Sequence, residues 1–435
     1  MSDPVRGPAS EPAGGLSAVE RKVLDRLDED ALADSLATLV RIPSVGGSDA
    51  EVDVQEVAAA MLGELGLDVD RWDIDLDELA LDPWFPGAET EREKAVGVVA
   101  STAGDTVPAL ILQGHLDVVP PGDPETWQGS DPFSAEIRGR TLFGRGACDM
   151  KAGVAANIAV AATLRDAGVT LERPLAVHCV IGEEDGGLGA FATLRRGHRG
   201  EAAVITEPTS GRIVTATAGA LTFRIEVAGR SAHGSMRREG FSAFDAFLPI
   251  HRALARLEAE RNQDVDPLFG SELPYALSIG TVTAGEWASN VPDKLVAEGR
   301  LGVILDEDPR QARLALEDAV TEASVKDPWL REYRPVVTWP GGQFASGRID
   351  PDHPLTEEVI GAVTAVGGDR PTLGAEVYGS DLRLYAGIGG IPTLHYGPGD
   401  IRVAHGAAEH IDLDELVSVT RALVVLALRR CGVAQ

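Results

Sequence analysis

Residues 110–120, LILQGHLDVVP, contain an apolar run, Leu110-Ile111-Leu112, that breaks abruptly into Gln113-Gly114-His115-Leu116-Asp117. The pattern predicts a buried strand that delivers His115 and Asp117 to its carboxyl end, the edge of an open α/β sheet where ligands bind. The apolar run 175–181 ends in Gly182-Glu183-Glu184-Asp185-Gly186-Gly187, and the run 202–206 ends in Glu207-Pro208. Asp149 follows Gly144 and Gly146 and immediately precedes a predicted helix of small residues. Each acid has a plainer reading by itself: Asp149 as a helix cap, Glu183 and Glu184 as a solvated pair. Gathered at one sheet edge with an imidazole, however, these carboxylates repel one another, and a cation is the natural remedy.

The elements that must position these residues follow from composition and pattern. At 435 residues, 44% hydrophobic and 25% charged, the chain exceeds one ordinary domain and predicts two. A formal charge of -29, from 39 Lys and Arg against 68 Asp and Glu, argues against nucleic acid and anionic membrane surfaces as partners. Cys148, Cys179 and Cys431 are too few and scattered for a disulfide framework, and no apolar stretch suits a membrane span or signal peptide. The expected location is therefore the cytoplasm.

Residues 1–15, rich in Pro, Gly, Ser and Ala, read as a disordered tail. A helical pattern over 16–40 stops before Pro43, and a second helix over 49–65 ends at Gly66 and leads to a strand over 67–72. The acidic segment 76–94, with Trp84 and Phe85, reads as a surface excursion packing on its own domain, followed by a strand over 96–100. A helix over 152–164 follows, and such alternation of helix and strand predicts an α/β layer fold.

Between 212 and 340 the order changes to βαββαβ, with strands over 214–227, 275–282, 295–305 and 333–339 and helices over 242–261 and 308–325. That is a complete ferredoxin-like sandwich inserted into the larger sheet. Asp308 and Pro309 punctuate the start of its second helix, while Pro249 should kink the first or mark its true start. The segments 16–211 and 341–435 then form one domain, the latter with a helix over 353–366, a strand over 391–395 and a final helix over 412–430.

Five segments together, GHLDVVP, GRGACDMKAG, GEEDGG, TEP and the late AHGAAEH, resemble the dizinc metallopeptidase and deacylase superfamily that includes acetylornithine deacetylase, succinyl-diaminopimelate desuccinylase, aminoacylase and glutamate carboxypeptidase. The resemblance implies a mixed-sheet zinc-peptidase catalytic domain flanked by helices, with the inserted unit as a lid. It implies two Zn2+ ions, replaceable by Co2+ or Mn2+, with His115 and Glu207 on one, Glu184 and His405 on the other, and Asp149 bridging both. Asp117 would orient the His115 ring from behind, and Glu183 would be the general base acting on water. A cis peptide bond is implied at Asp149-Met150.

In the inserted unit, Ser231-Ala232-His233-Gly234-Ser235 matches the motif whose histidine stabilises the oxyanion, in many members across a homodimer interface formed by the lid. Asn290 resembles the family's substrate-binding asparagine. Arg300, Ser380 and Arg383 are further candidates for substrate contact, although Arg300 stands closer to Pro292 than the pattern has it, which leaves an ordinary strand-surface arginine equally open. His410 should be structural, entering the last helix, and His178 a satisfied core residue.

The implied activity is hydrolysis of the amide bond of an N-acyl amino acid or short peptide. A metallodipeptidase or carboxypeptidase would use the same site. A noncatalytic binding protein on the same fold would be expected to have lost ligands or base, and none is missing here. No Gly-rich, Lys-containing phosphate loop precedes a helix, which disfavours an ATP-dependent enzyme.

Overall fold

Strands buried on both faces read as apolar runs, and three such runs, with the short strand Thr393–His395, form the parallel centre of a nine-stranded mixed sheet. Leu175–Val180, Leu110–His115, Ala203–Ile205 and Thr393–His395 lie side by side in that order, each parallel to the next. All four therefore end at the same rim. Val96–Ser101 and Asp68–Asp73 extend one side antiparallel, and Ile213–Thr217 and Gly347–Arg348 the other, with Leu373–Glu376 pairing parallel to Ile213–Thr217. The computed structural model describes residues 15–103, 106–127 and 131–434; the tail expected over 1–15 falls, but for Gly15, outside them.

Alternate side chains of each strand face opposite layers. Leu110, Leu112, Val177 and Val204 join the core built with helices Lys151–Asp166 and Leu413–Cys431. Ile111, Ala176, Ala203 and Ile205 face the other core, where helix Leu188–Arg195 contributes Ala190, Phe191 and Leu194. Each fully buried aliphatic side chain contributes about 1.5 to 3 kcal/mol, so these two layers set the frame. Helix Lys151–Asp166 lies exceptionally close to the sheet: a Cβ on Gly153 would stand 2.1 Å from the Thr206 carbonyl oxygen. That closeness brings the loop carrying Asp149 beside Glu207.

A second, antiparallel sheet has the order Leu277–Ala284, Lys294–Val303, Gly219–Ala228, Val336–Thr338, with Gln343–Phe344 also pairing with Gly219–Ala228. Helices Ala243–Arg261 and Pro309–Lys326 pack on it through Phe247, Ile250, Leu254, Leu316 and Val320. The sequence order is βαββαβ and the spatial order is that of a ferredoxin-like sandwich. The strand expected over 214–227 is two strands in two sheets, because the chain changes sheets at Ala218–Gly219. A Cβ on Gly219 would lie 2.4 Å from the Phe344 carbonyl oxygen, so the outgoing and returning chains can pass only with glycine there.

Other differences have local causes. The helix expected over 16–40 is two, Ala18–Leu24 and Glu29–Val40, because the Asp28 side chain accepts from the Ala31 N–H at 2.9 Å and starts a new helix. Helix Ala243–Arg261 continues through Pro249. His410 is not in the last helix; it pairs with Phe143 in the strand His410–Asp412, and Asp412 caps the helix instead. The 76–94 excursion contains a short helix, Leu76–Ala80, and Phe85 packs edge-on against Phe191 while Trp84 stays exposed.

Gly153→Ala should lower the denaturation midpoint by about 1 to 3 kcal/mol of stability, since overpacking against a backbone carbonyl outweighs the roughly 1 kcal/mol gain in helix propensity. Urea unfolding of the two proteins at equal m-value measures this, and an unchanged or raised midpoint would contradict the close approach.

Candidate metal centre

Three loops leave the shared rim of the parallel strands, and each carries an acid to the same place. His115, at the end of Leu110–His115, has Nε2 at 3.2 Å from Asp149 Oδ1 and 3.7 Å from Glu207 Oε1. The other Asp149 oxygen, Oδ2, lies 3.3 Å from His405 Nε2, which is 3.1 Å from Glu184 Oε1. One carboxylate thus stands between two imidazoles, each with its own glutamate. Glu183 joins the same cluster: His115, Glu183 and Glu207 offer donor atoms within 4.8 Å of one another, as do His115, Asp149 and Glu184.

The backbone explains how these atoms converge. Gly182, Gly186 and Gly187 take positive φ, and Gly187 N–H donates to the Gly182 carbonyl at 2.6 Å, curling 182–187 so that adjacent Glu183 and Glu184 both reach inward. Asp149 does not cap the following helix: the position before Lys151–Asp166 is Met150, with no side-chain cap, and the Asp149-Met150 bond is cis. Asp117 stands behind the cluster, fully buried. The His115 Nδ1 lies 3.0 Å from its carbonyl oxygen and 3.5 Å from its carboxylate, whose other oxygen accepts from the Glu184 N–H at 3.1 Å.

Electrostatics follow from burial of so many acids. Burial raises the Glu183, Glu207 and Glu184 carboxyls above the usual range, and their mutual charges and that of Asp381 or Asp149 raise them further. Burial opposes protonation of His115, but the bond to Asp149 and the charges of Glu207, Asp117 and Glu183 hold its pKa well above normal. His405, half exposed, is pushed up to about 10 by its bonds to Asp149 and Glu184. The cluster attracts positive charge strongly, and its N and O donors are those that divalent zinc, cobalt or manganese accepts. The residues present therefore fit a metal.

A cavity of about 250 Å³ opens on these groups, lined by Asp149, Glu183, Glu184, Glu207 and His405 together with Tyr378, Ser380, Ile401 and Ala404. A larger space of about 610 Å³, bounded by 235–242 and Asp245, shares none of them. His233 and Asn290 are brought together, as bridged backbone partners with Val291 N–H donating to Ala232 O at 2.8 Å, but both are exposed and neither lines the 250 Å³ cavity. Arg300 donates to the Val377 carbonyl at 2.8 Å, next to Tyr378. Ser380 Oγ lies 3.1 Å from His395 Nε2. Arg383 is buried, stacked 4.0 Å over Phe344, and donates to the Ser380 and Gly186 carbonyls at 2.7 and 2.6 Å.

Several supporting residues had no individual signal in the sequence. Arg92, inside the acidic excursion, has a buried side chain ion-paired with Glu51 at 2.8 Å and Asp185 at 2.7 Å, neutralising the third acid of the 183–185 run. Gln113 donates to Asp381 at 2.9 Å. Tyr378, whose hydroxyl burial and neighbouring carboxylates keep protonated, faces the cavity. Arg145 stands inside the GRGACDMKAG segment and Arg92 inside the 76–94 excursion, and only their buried ion pairs reveal them. His178 is a satisfied core residue, 2.8 Å from the Tyr385 hydroxyl.

A cluster of this kind at the carboxyl ends of parallel strands offers the donor set of a metal site, and the comparisons place the chain among hydrolases. The profile of peptidase family M20/M25/M40 matches residues 111–429, and the chain belongs to that family of hydrolases. The N-formyl-4-amino-5-aminomethyl-2-methylpyrimidine deformylase of Bacillus subtilis is 28% identical over 404 residues, covering 87% of this chain and 89% of that one. A succinyl-diaminopimelate desuccinylase of Xanthomonas euvesicatoria is 29% identical over 357 residues, covering 78% and 89%. In fold, the chain is similar to an M20 family metallo-carboxypeptidase from Sulfolobus solfataricus, with a TM-score of 0.73, 15% identity and coverage of 92% and 99%.

Burial and the nearby His198 depress the His178 pKa to about 3, below the ordinary value near 6.5. The unfolded chain therefore takes up this proton first, and the stability His178 contributes, full above about pH 6.5, is lost as pH falls towards 3. His178→Gln should flatten the fall of the urea midpoint between pH 6.5 and 4 by up to about 1.4 kcal/mol per pH unit. Identical slopes would show that His178 titrates freely in the folded state.

Proposed function

We propose that this protein is an amidohydrolase that binds two divalent cations, Zn2+ with Co2+ or Mn2+ as substitutes, and cleaves the linear amide of an N-acyl amino acid, a related N-acyl amine or a short peptide. The observation that carries the reading is the Asp149 carboxylate held between His115 and His405, with Glu207 beside the first and Glu184 beside the second. These pairs would form the two metal shells, with Asp149 shared. Bound there, the cations supply Lewis acidity, making water acidic enough to attack at neutral pH and polarising the scissile carbonyl.

The chain's own residues would do the rest. Glu183 takes a proton from the attacking water as the C–O bond forms and delivers it to the nitrogen as the C–N bond breaks, releasing a carboxylic acid and an amine. Asp117 keeps the His115 ring in its ligating orientation, since Nδ1 is occupied by the Asp117 backbone and carboxylate. Tyr378, Ser380, Ile401 and Ala404 wall the substrate side. Arg383, with donors committed to two backbone carbonyls, would hold Ser380 and the 182–187 loop in place rather than reach the substrate.

The five-stranded unit is proposed as the lid over this cavity, spanning about residues 212–340 between the two parts of a catalytic domain, 16–211 and 341–435. It would bring Asn290 and Arg300 to the substrate and offer His233 as the oxyanion donor. Because His233 lies outside the cavity of its own chain, a homodimer through the lid, with His233 serving the neighbouring site, accounts for its position. A reducing compartment, the cytoplasm, suits three buried free cysteines. Charge and chemistry argue for small-molecule substrates, with neither nucleic acid nor membrane as partner.

Turnover on a panel of N-formylated aminopyrimidine, acetylornithine, succinyl-diaminopimelate, other acylated amino acids and dipeptides, alongside metal analysis, tests the reading. Cleavage confined to dipeptides would favour a metallodipeptidase, and release of C-terminal residues from longer peptides a carboxypeptidase. No cleavage with both ions bound would favour a noncatalytic binding protein. Glu183→Gln should lose about 10²- to 10⁴-fold in kcat while keeping the wild-type metal content; a fully active, metal-loaded variant would sink the base assignment. His233→Ala should lose about 10²- to 10³-fold, and dimers mixed from His233→Ala and Glu183→Gln subunits should regain activity that neither variant has alone. No recovery on mixing would place His233 in its own subunit's site or outside the chemistry.

A further inference from the structure

Two of the proposed ligand positions, Asp149 and His405, are 256 residues apart in sequence, and each sits on a loop rather than within a regular element. One buried ion pair touches the backbone of both. Glu409 is fully buried, and its Oε1 accepts from the N–H of Cys148 and of Asp149, both at 3.0 Å. Its Oε2 is ion-paired with Arg145 Nη1. Arg145, also buried, turns its Nη2 to the His405 carbonyl at 3.0 Å and the Pro120 carbonyl at 3.4 Å, under the Trp127 ring. The Glu409 carbonyl in turn accepts from Gly144 N–H at 3.0 Å, closing the circuit on the loop that leads to Asp149.

The guanidinium fork suits this task because it can hold a carboxylate with one arm and a carbonyl with the other in fixed relative geometry. Neither residue offers a donor atom to the cavity, so their part is to act through the backbone of others. We propose that the Arg145–Glu409 pair is the positioning device that sets the spacing between the Asp149 and His405 loops, and so decides whether the site takes a second ion. The inference rests on the two-ion reading above. Of the two loops, the Arg145 guanidinium reaches the main chain at His405 and the Glu409 carboxylate that at Asp149, so the two residues divide the work.

A buried ion pair of this kind is by itself weak evidence for stability, and exchanging both partners for neutral side chains is often tolerated. Arg145→Met/Glu409→Gln removes both charges together and keeps an amide oxygen for the Cys148 and Asp149 N–H groups. Arg145→Lys keeps the charge opposite Glu409 but lacks the second arm that reaches His405, and it serves as the milder variant if the double one does not fold. The metal-free full-length chain is titrated calorimetrically with Co2+ alone, beside wild type and His405→Ala.

Wild type should show two binding events. His405→Ala should lose the weaker one, and both Arg145 variants should weaken that same event by about 10- to 100-fold while leaving the other at its wild-type affinity. A purely structural pair would lower the metal-free unfolding temperature without separating the two events. Two Co2+ events of wild-type affinity in Arg145→Lys would overturn the inference and leave the site assignment standing. Fewer than two events in wild type would overturn the two-ion reading and the inference with it.

Discussion

Negative charge buried at one rim of a sheet is the constraint to which the rest of this molecule answers. Asp117, Asp149, Glu183, Glu184 and Glu207 stand within one cluster, against two imidazoles. Taking charges out of water is unfavourable unless each is paired, hydrogen-bonded or bound to a cation. The surrounding acids are treated differently from the inner ones: Glu51 and Asp185 are paired with Arg92, and Glu409 with Arg145. Among the described residues the inner set has no arginine ion pair, and buried Asp381 is held by the Gln113 amide instead. The fold thus pairs Glu51, Asp185 and Glu409 with its own arginines, while the central carboxylates form a cluster able to take an external cation.

Backbone proximity makes that arrangement possible. Gly153 lets a helix settle onto the end of the Ala203–Ile205 strand, Gly146 leaves space for Val118 beside the Asp149 loop, and Gly219 lets two connections cross between sheets. Lys151, buried immediately after the cis bond, donates to the Leu39 and Ile42 carbonyls at 3.0 and 2.8 Å. It ties the end of the Glu29–Val40 helix to the start of the helix beside the site. Burial lowers its pKa to about 7, opposed by the charges of Glu409 and Asp117. The site is therefore set by packing that extends well beyond the residues that face the cavity.

The parallel centre of the large sheet was readable in the sequence because strands covered on both faces must be largely apolar, and 110–112, 202–205 and, His178 apart, 175–181 are. His115, Glu183, Glu184 and Glu207 were readable for the same reason, since each follows such a run directly. His405 was not: it sits at φ +60° in a short irregular segment, and only its place in the AHGAAEH segment distinguishes it from His410 five residues on. The break at 25–28 and the sheet change at 218–219 were hidden because hydrophobic periodicity continues across both. Periodicity reports which face is buried, not which neighbour buries it.

By itself, then, the sequence determined the element types, the strand ends that carry acids, and a donor set suited to metal, because these depend on local pattern and residue chemistry. Tertiary structure decided which acids meet and which are neutralised. Arg92 reaches Asp185 across 93 residues, and Arg145 reaches Glu409 across 264. It also decided that His233 lies outside its own chain's cavity. Such pairings depend on distances closed by packing, and chain order encodes them only through the fold as a whole.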